Sequence, residues 1–184
     1  MDNQPGLRAA DHQRVATFIE RIAGIQLPEH KRSLIETRLR RRVKAMGYLN
    51  IQAYLDFALS PAGEVTEQVL MLDALTTNKT DFFREPAHFE YLIDHVKNRL
   101  LPLQAAGWSR PLKVWCSAAS TGEEPYTLAM VLCELKRQLV GFRFELLATD
   151  IAPSVLATAK QAVYDHLKHC ASAISCAARR HINP

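Results

Sequence analysis

The residues best suited to chemistry follow a short apolar run near the middle of the chain, where residues 111–126 read PLKVWCSAASTGEEPY. The apolar run, 112–116, has the composition of a buried parallel strand. Small residues follow at 117–122, a stretch that we call the small-residue bend; Ala118 and Gly122 there let the backbone approach a ligand closely. Because a helix pattern comes next, the sequence predicts the ligand-binding corner of an α/β sheet.

The helix that follows the bend begins with acidic residues. Thr121 is expected to cap it, and Glu123 and Glu124 fill its first turn, where acids suit the exposed N–H groups and the helix dipole. The spacing matches neither the dinucleotide glycine motif nor the P-loop. Two acids would repel a phosphate, whereas a ligand with a cationic ammonium or sulfonium group, such as S-adenosylmethionine, is compatible with them.

A second apolar run, 142–149, ends at Asp150. An acid at the carboxyl end of a strand can accept hydrogen bonds from two ribose hydroxyls. A simpler interpretation is also open, in which Thr121 and Glu124 form a capping box and Asp150 only caps the helix near Pro153.

A resemblance to a known family rests on three segments. AASTGEEPYTLAM, preceded by LTTNKTDFFREPAHF and followed by ATDIAPSVLATAKQAVY, closely resembles the CheR family of chemotaxis protein methyltransferases. The likeness runs from the N-terminal helices to about Tyr164. It implies methyl transfer from S-adenosylmethionine to glutamate side chains of methyl-accepting chemotaxis receptors, in the cytoplasm.

The resemblance also implies roles for a polar segment upstream. Asn78, Thr80 and Arg84 match positions that line the S-adenosylmethionine pocket in the family, and Arg84 faces the acceptor carboxylate, which a guanidinium can hold in a fixed fork. Glu124 is expected to face the methionine ammonium, and Asp150 to hold the ribose. Since a glutamate with a pKa of about 4.3 is ionised at neutral pH, no general base is needed, and catalysis rests on alignment.

The remaining pattern predicts the elements that position these residues. Helical periods are expected at 11–23, 28–46, 51–59, 64–75 and 87–101. They precede a strand, helix, strand, helix order, so we expect a small N-terminal helical bundle and the first half of a Rossmann-like methyltransferase sheet, an α/β fold. The expected domains are a helical domain at 1–75, a partial S-adenosylmethionine-binding domain at 76–164, and a divergent tail at 165–184. Trp115, inside the first strand, is expected to lie in the core.

The second predicted helix has a strongly basic face. Its cations are Lys31, Arg32, Arg38, Arg40, Arg41, Arg42 and Lys44. Such a run is often only a solvated face. It could also dock an acidic partner, either nucleic-acid phosphates or a helix bundle rich in glutamate. The resemblance favours the receptor, so we expect Arg38, Arg41 and Arg42 to contact its acidic cytoplasmic helices, and we expect no nucleic-acid partner.

Composition excludes several classes of protein. The four cysteines lack a CxxC spacing, so reduced thiols are expected. No apolar run approaches the roughly 18 residues of a membrane span, and no export signal is evident, so we expect a cytoplasmic protein without membrane insertion. The tail contains His and Cys residues without paired spacing, and we expect no metal site there. These residues are His166, His169, Cys170, Cys176 and His181.

The sequence after Tyr164, DHLKHCASAISCAARRHINP, looks unlike the family, as a truncated or frame-shifted product would. The family continues there with further strands, a β-insertion that contacts the receptor tail, and an Arg-Asn motif that completes the cofactor pocket. Without that half the site lacks one wall, and we expect weak or no turnover of the chain as given. Three alternatives stay open: a non-catalytic receptor- or cofactor-binding fragment, an RNA methyltransferase, and a helical interaction protein with a decayed methyltransferase-like segment.

Overall fold

The computed structural model describes residues 6–63, 66–104 and 108–164. The chain divides into two compact units, Met1–Thr77 and Asn78–Pro184. Within the described residues, the first unit is helical and the second combines helices with a parallel two-stranded sheet. This arrangement confirms the predicted fold class.

The first unit contains four α-helices in its described part: α1 (Ala9–Ala23), α2 (Arg32–Met46), α3 (Ile51–Ala58) and α4 (Glu67–Leu75). A 3-10 turn at Glu29–Lys31 precedes α2. All four helices were predicted, although α2 and α4 begin a few residues later than expected.

The core of the first unit draws on all four helices. Gly24 and Gly47 end α1 and α2 in the left-handed conformation, as the sequence predicted. Val15 of α1, Leu39 of α2 and Met71 of α4 are fully buried. Ile22, Leu34 and Met46, which also fit the helical period, are exposed instead. Among the described residues no helix has the length and apolar character needed to cross a membrane.

The second unit alternates helices and strands. Its elements are α5 (Pro86–His95), a π-helical turn (Val96–Leu100), a 3-10 turn (Leu101–Gln104), β1 (Leu112–Cys116), α6 (Glu123–Gln138), β2 (Phe144–Ala148) and α7 (Pro153–Gln161). The helix expected at 87–101 is therefore α5 with a π-helical turn, and β1 has the predicted bounds.

The two strands pair in parallel, with Leu112 opposite Phe144 and Cys116 opposite Ala148. Their carboxyl ends consequently lie side by side, so the small-residue bend after β1 lies next to the residue that follows β2. On one face, Leu112, Val114 and Phe144 pack on a buried cluster that includes Leu132 of α6. The sheet thereby brings the small-residue bend and Asp150 to one edge.

The opposite face of the sheet exposes large apolar side chains. Trp115 is 68% exposed and Leu147 is 60% exposed. The prediction that Trp115 lies in the core is wrong, because strand alternation places it on the face that no described element covers. Its indole Nε1 instead donates a hydrogen bond to Thr149 Oγ1 at 3.0 Å.

Candidate functional site

Asp150 connects the end of β2 to the small-residue bend. Its Oδ2 accepts a hydrogen bond from the backbone N–H of Ser120 at 2.7 Å, and its Oδ1 accepts one from the N–H of Ala152 at 2.9 Å. Each carboxylate oxygen can accept a second hydrogen bond, so the group keeps capacity for ligand hydroxyls. The N-cap residue of α7 is Ala152, and Asp150 bonds the N–H of that residue, so Asp150 contacts the helix start as well as the bend.

The bend is tight because two of its residues have left-handed backbone conformations. The φ angle is 49° at Ser120 and 105° at Gly122. A Cβ atom at Gly122 would lie 2.2 Å from Oη of Tyr164 and 3.1 Å from Cβ of Ala159. Glycine is thus required at 122 by conformation and by the space that Tyr164 occupies.

The start of α6 differs from the prediction. Gly122 is the N-cap, with no side-chain cap bond, and Thr121 Oγ1 donates to Glu123 Oε2 at 2.6 Å. The predicted Thr121 cap and its capping box with Glu124 are therefore wrong. The left-handed glycine moves the helix start by one residue, and the threonine hydroxyl contacts a carboxylate instead of a backbone N–H.

Acidic side chains lie near the carboxyl ends of the two strands. Cys116 Sγ, at the end of β1, donates to Glu124 Oε1 at 3.6 Å. Burial, and then the charges of Glu124 and Asp150, raise the pKa of the Cys116 thiol to about 11. The two carboxylates that contribute to this shift would attract a cationic ligand.

The state of Cys116 can be tested by alkylation. We expect its reaction with iodoacetamide at pH 8 to be at least about tenfold slower than that of Cys133, because the thiolate is the nucleophile and Cys116 is buried while Cys133 is exposed. Peptide mass spectrometry of timed samples measures both rates. The folded-state pKa of the Cys116 thiol lies above its usual value of 9.0, so the folded protein favours the neutral thiol. The contribution of this group to the free energy of unfolding is complete below pH 9 and is lost as the pH rises toward 11. Equal alkylation rates would contradict the burial of Cys116.

The polar segment predicted to line the pocket contacts the bend. Ser120 Oγ donates to the backbone oxygen of Asn78 at 3.0 Å. Asn78 and Thr80 are half-buried, and Ala118 in the bend is exposed. The structure thus brings Asn78 to the bend, next to Asp150.

Arg84 lies in the same segment and is exposed. Its Nη1 donates to the backbone oxygen of Lys79 at 2.9 Å. Because a guanidinium carries five N–H donors, Arg84 keeps donors for a carboxylate.

The basic face of α2 is partly occupied by contacts within the first unit. Arg38 Nη1 donates to the backbone oxygens of Leu75 at 2.5 Å and Thr76 at 2.9 Å, and its Nη2 donates to Thr77 Oγ1 at 3.1 Å. Arg38 therefore caps the carboxyl end of α4.

Arg42 is paired with an acid in the core. Its Nε and Nη2 donate to Glu67 at 2.9 and 2.7 Å, and Tyr54 Oη donates to the same carboxylate at 2.7 Å. Burial favours the neutral form of Glu67, but the hydrogen bonds from Arg42 and Tyr54 outweigh it and lower the pKa of that carboxyl. Of the three arginines predicted to bind a partner, Arg41 alone is exposed.

In the described ranges no group of His, Cys, Asp and Glu could hold a metal ion. The His and Cys residues of the tail lie outside the described residues.

Comparison with known families assigns both units. Residues 10–76 match the CheR methyltransferase all-alpha domain, and residues 78–183 match the CheR methyltransferase SAM-binding domain. The chain belongs to the CheR methyltransferase family. The match to the SAM-binding domain indicates S-adenosylmethionine as the cofactor of this family. The second match continues to residue 183, whereas the resemblance was expected to end at about Tyr164.

Curated relatives are named as chemotaxis protein methyltransferases. The chain is 41% identical over 143 residues to a probable chemotaxis protein methyltransferase of Rhizobium etli, covering 78% of this chain and 52% of the relative. It is 37% identical over 166 residues to a chemotaxis protein methyltransferase of Escherichia coli, covering 90% of this chain and 54% of the relative. The chain thus spans about half the length of the curated relatives that it matches.

The predicted site residues fit S-adenosylmethionine in charge and hydrogen-bonding type. Asp150 offers acceptors for ribose hydroxyls at the bend, and Glu124 adds a negative charge suited to an ammonium or sulfonium group. Sequence reasoning missed Ser120 and Thr127, whose hydroxyls contact the polar segment.

Proposed function

We propose that the protein containing this chain is an S-adenosylmethionine-dependent protein-glutamate O-methyltransferase that modifies methyl-accepting chemotaxis receptors in the cytoplasm. The observation that carries the proposal is the contact between the Asp150 carboxylate and the small-residue bend, next to Glu124. The negative charges of Asp150 and Glu124 suit a cationic cofactor and would repel a phosphate. The membership of the CheR family supports the same reaction.

Each cofactor contact has a physical basis. S-adenosylmethionine, when bound, supplies an electrophilic methyl group on a sulfonium. Asp150 accepts hydrogen bonds from the ribose, and Glu124 attracts the methionine ammonium. Asn78, Thr80, Ala118 and Gly122 complete the lining, with Arg84 at its edge.

The acceptor side of the reaction rests on Arg84. Its free guanidinium donors hold the acceptor glutamate carboxylate in a fixed orientation. The carboxylate is already the nucleophile at neutral pH, so no side chain has to remove a proton. Catalysis then comes from alignment of the reacting atoms.

The helical domain, 1–75, supplies receptor contacts in this proposal. Arg41 contacts acidic receptor helices directly, through a charge that is exposed on α2. Arg38 and Arg42, which the sequence also predicted as partner contacts, hold α2 against α4 and act on the receptor through the shape of that surface. The domain at 76–164 supplies the cofactor site.

Transfer of a radiolabelled methyl group tests the proposal. With labelled S-adenosylmethionine we expect slow labelling of glutamates in an acidic receptor segment and none of RNA. Arg84→Ala should reduce labelling of the segment about tenfold, because one charge-assisted pair with the acceptor is lost. Arg110→Ala removes an exposed arginine of the same unit and serves as the matched control. Label on RNA, or full labelling by Arg84→Ala, would contradict the assigned reaction.

A further inference from the structure

The backbone around Arg84 adopts an uncommon conformation. Phe83 and Glu85, the residues on either side of it, have φ angles of 53° and 56°. Residues other than glycine rarely occupy this left-handed region, and such conformations persist where surrounding contacts impose them. The segment 78–85, which we call the Arg84 segment, must therefore be held in place by its neighbours.

One holding contact comes from a buried hydroxyl of α6. Thr127 is 0% exposed, and its Oγ1 accepts a hydrogen bond from the backbone N–H of Phe83 at 3.2 Å. The same hydroxyl donates to the backbone oxygen of Glu123 at 2.7 Å. A hydroxyl has one donor and two acceptor sites, so Thr127 makes both bonds at once.

A second contact holds the other end of the Arg84 segment. Ser120 Oγ in the bend donates to the backbone oxygen of Asn78. The ring of Phe83 packs edge-on against the ring of Phe89 of α5, at 6.1 Å between centroids. The Arg84 segment is thus held by two hydroxyl contacts, one from the bend at Asn78 and one from α6 at Phe83, the residue just before Arg84.

A hydrogen bond from a helical threonine to the carbonyl one turn earlier is common and by itself only local. The bond that Thr127 accepts from Phe83 is different, because Phe83 lies 44 positions away in the sequence. Valine would fill the same space in α6 but could not accept that bond.

We propose that Thr127 is a positioning residue for the acceptor arginine. Thr127 accepts a hydrogen bond from the N–H of Phe83 and so restrains the backbone next to Arg84. This restraint sets the direction of the Arg84 side chain, and hence how its guanidinium approaches a carboxylate. The acceptor part of this inference rests on the proposed function, whereas the contact between Thr127 and the Arg84 segment does not.

The contact is tested with Thr127→Val, which keeps the volume, and Thr127→Ser, which keeps the hydroxyl. We expect Thr127→Val to speed amide hydrogen exchange at Phe83 and tryptic cleavage after Arg84 by about tenfold, the effect of losing one buried hydrogen bond. Thr127→Ser should stay within about twofold of wild type, and both variants should bind S-adenosylhomocysteine as wild type does. Exchange and cleavage at wild-type rates in Thr127→Val would overturn the inference.

The positioning role is tested by a double-mutant cycle with Arg84→Ala. The measured quantity is the affinity for a glutamate-containing receptor peptide in the presence of S-adenosylhomocysteine. We expect Thr127→Val to weaken peptide binding about fivefold alone and to add nothing to Arg84→Ala, since it acts through that residue. Additive losses would refute positioning. If wild type bound no S-adenosylhomocysteine, the proposed function would fail, while exchange and cleavage would still decide the Thr127 contact.

Discussion

Replacement of Asp150 by alanine is expected to weaken S-adenosylhomocysteine binding by about 100-fold or more, because two hydrogen bonds to a charged acceptor are lost, each worth roughly 1.5–3 kcal/mol. Asp150→Asn retains one acceptor oxygen and should lose about tenfold. Calorimetric titration of the chain with S-adenosylhomocysteine measures both affinities.

A matched control separates the cofactor contact from a general loss of charge. Asp94→Ala removes an exposed acid of α5 that accepts a hydrogen bond from Asn98, and it should bind as wild type does. Asp150→Ala also frees the N–H groups of Ser120 and Ala152, so the thermal unfolding of each variant is recorded beside its affinity. A folded Asp150→Ala variant with wild-type affinity would contradict the ribose contact.

Arg42→Ala is expected to destabilise the first unit by about 3–5 kcal/mol, because it leaves the carboxylate of Glu67 buried without its cation. Glu67 is only 2% exposed, and among the described residues Tyr54 would remain to donate to its carboxylate. Urea unfolding followed by circular dichroism measures the change.

Arg41→Ala is the matched control for that prediction, since it removes the neighbouring arginine of α2, which is exposed. It should change the free energy of unfolding by less than about 0.5 kcal/mol, as for surface substitutions generally. If Arg41 contacts the receptor, this variant should still weaken receptor binding. Wild-type stability of Arg42→Ala, together with lost receptor binding, would show instead that Arg42 contacts the partner directly.

The fold was predicted well where the local sequence pattern agreed with the packing of the folded chain. β1 has its predicted bounds because an apolar run of the right length lies between a proline and small residues. The glycines at 24 and 47 end their helices as expected. Trp115 was misplaced because an apolar strand in a parallel sheet gives no sign of which face the rest of the domain covers.

The site could be predicted only in part. Parallel pairing of β1 and β2 made the meeting of Asp150 with the bend predictable, since parallel strands end at the same edge. The prediction that Thr121 caps α6 is wrong because the left-handed glycine at 122 shifted the helix start. The pairing of Arg42 with Glu67 depends on how α2 and α4 pack, which helical periodicity does not specify.

The ribose contact of Asp150 is tested most directly by a crystal structure of the complex with S-adenosylhomocysteine. We expect both ribose hydroxyls to lie about 3 Å from the Asp150 carboxylate oxygens, at hydrogen-bonding distance. The amino group of the ligand should lie next to Glu124. A ligand bound with its ribose away from Asp150 would contradict the assignment of the cofactor site to the small-residue bend.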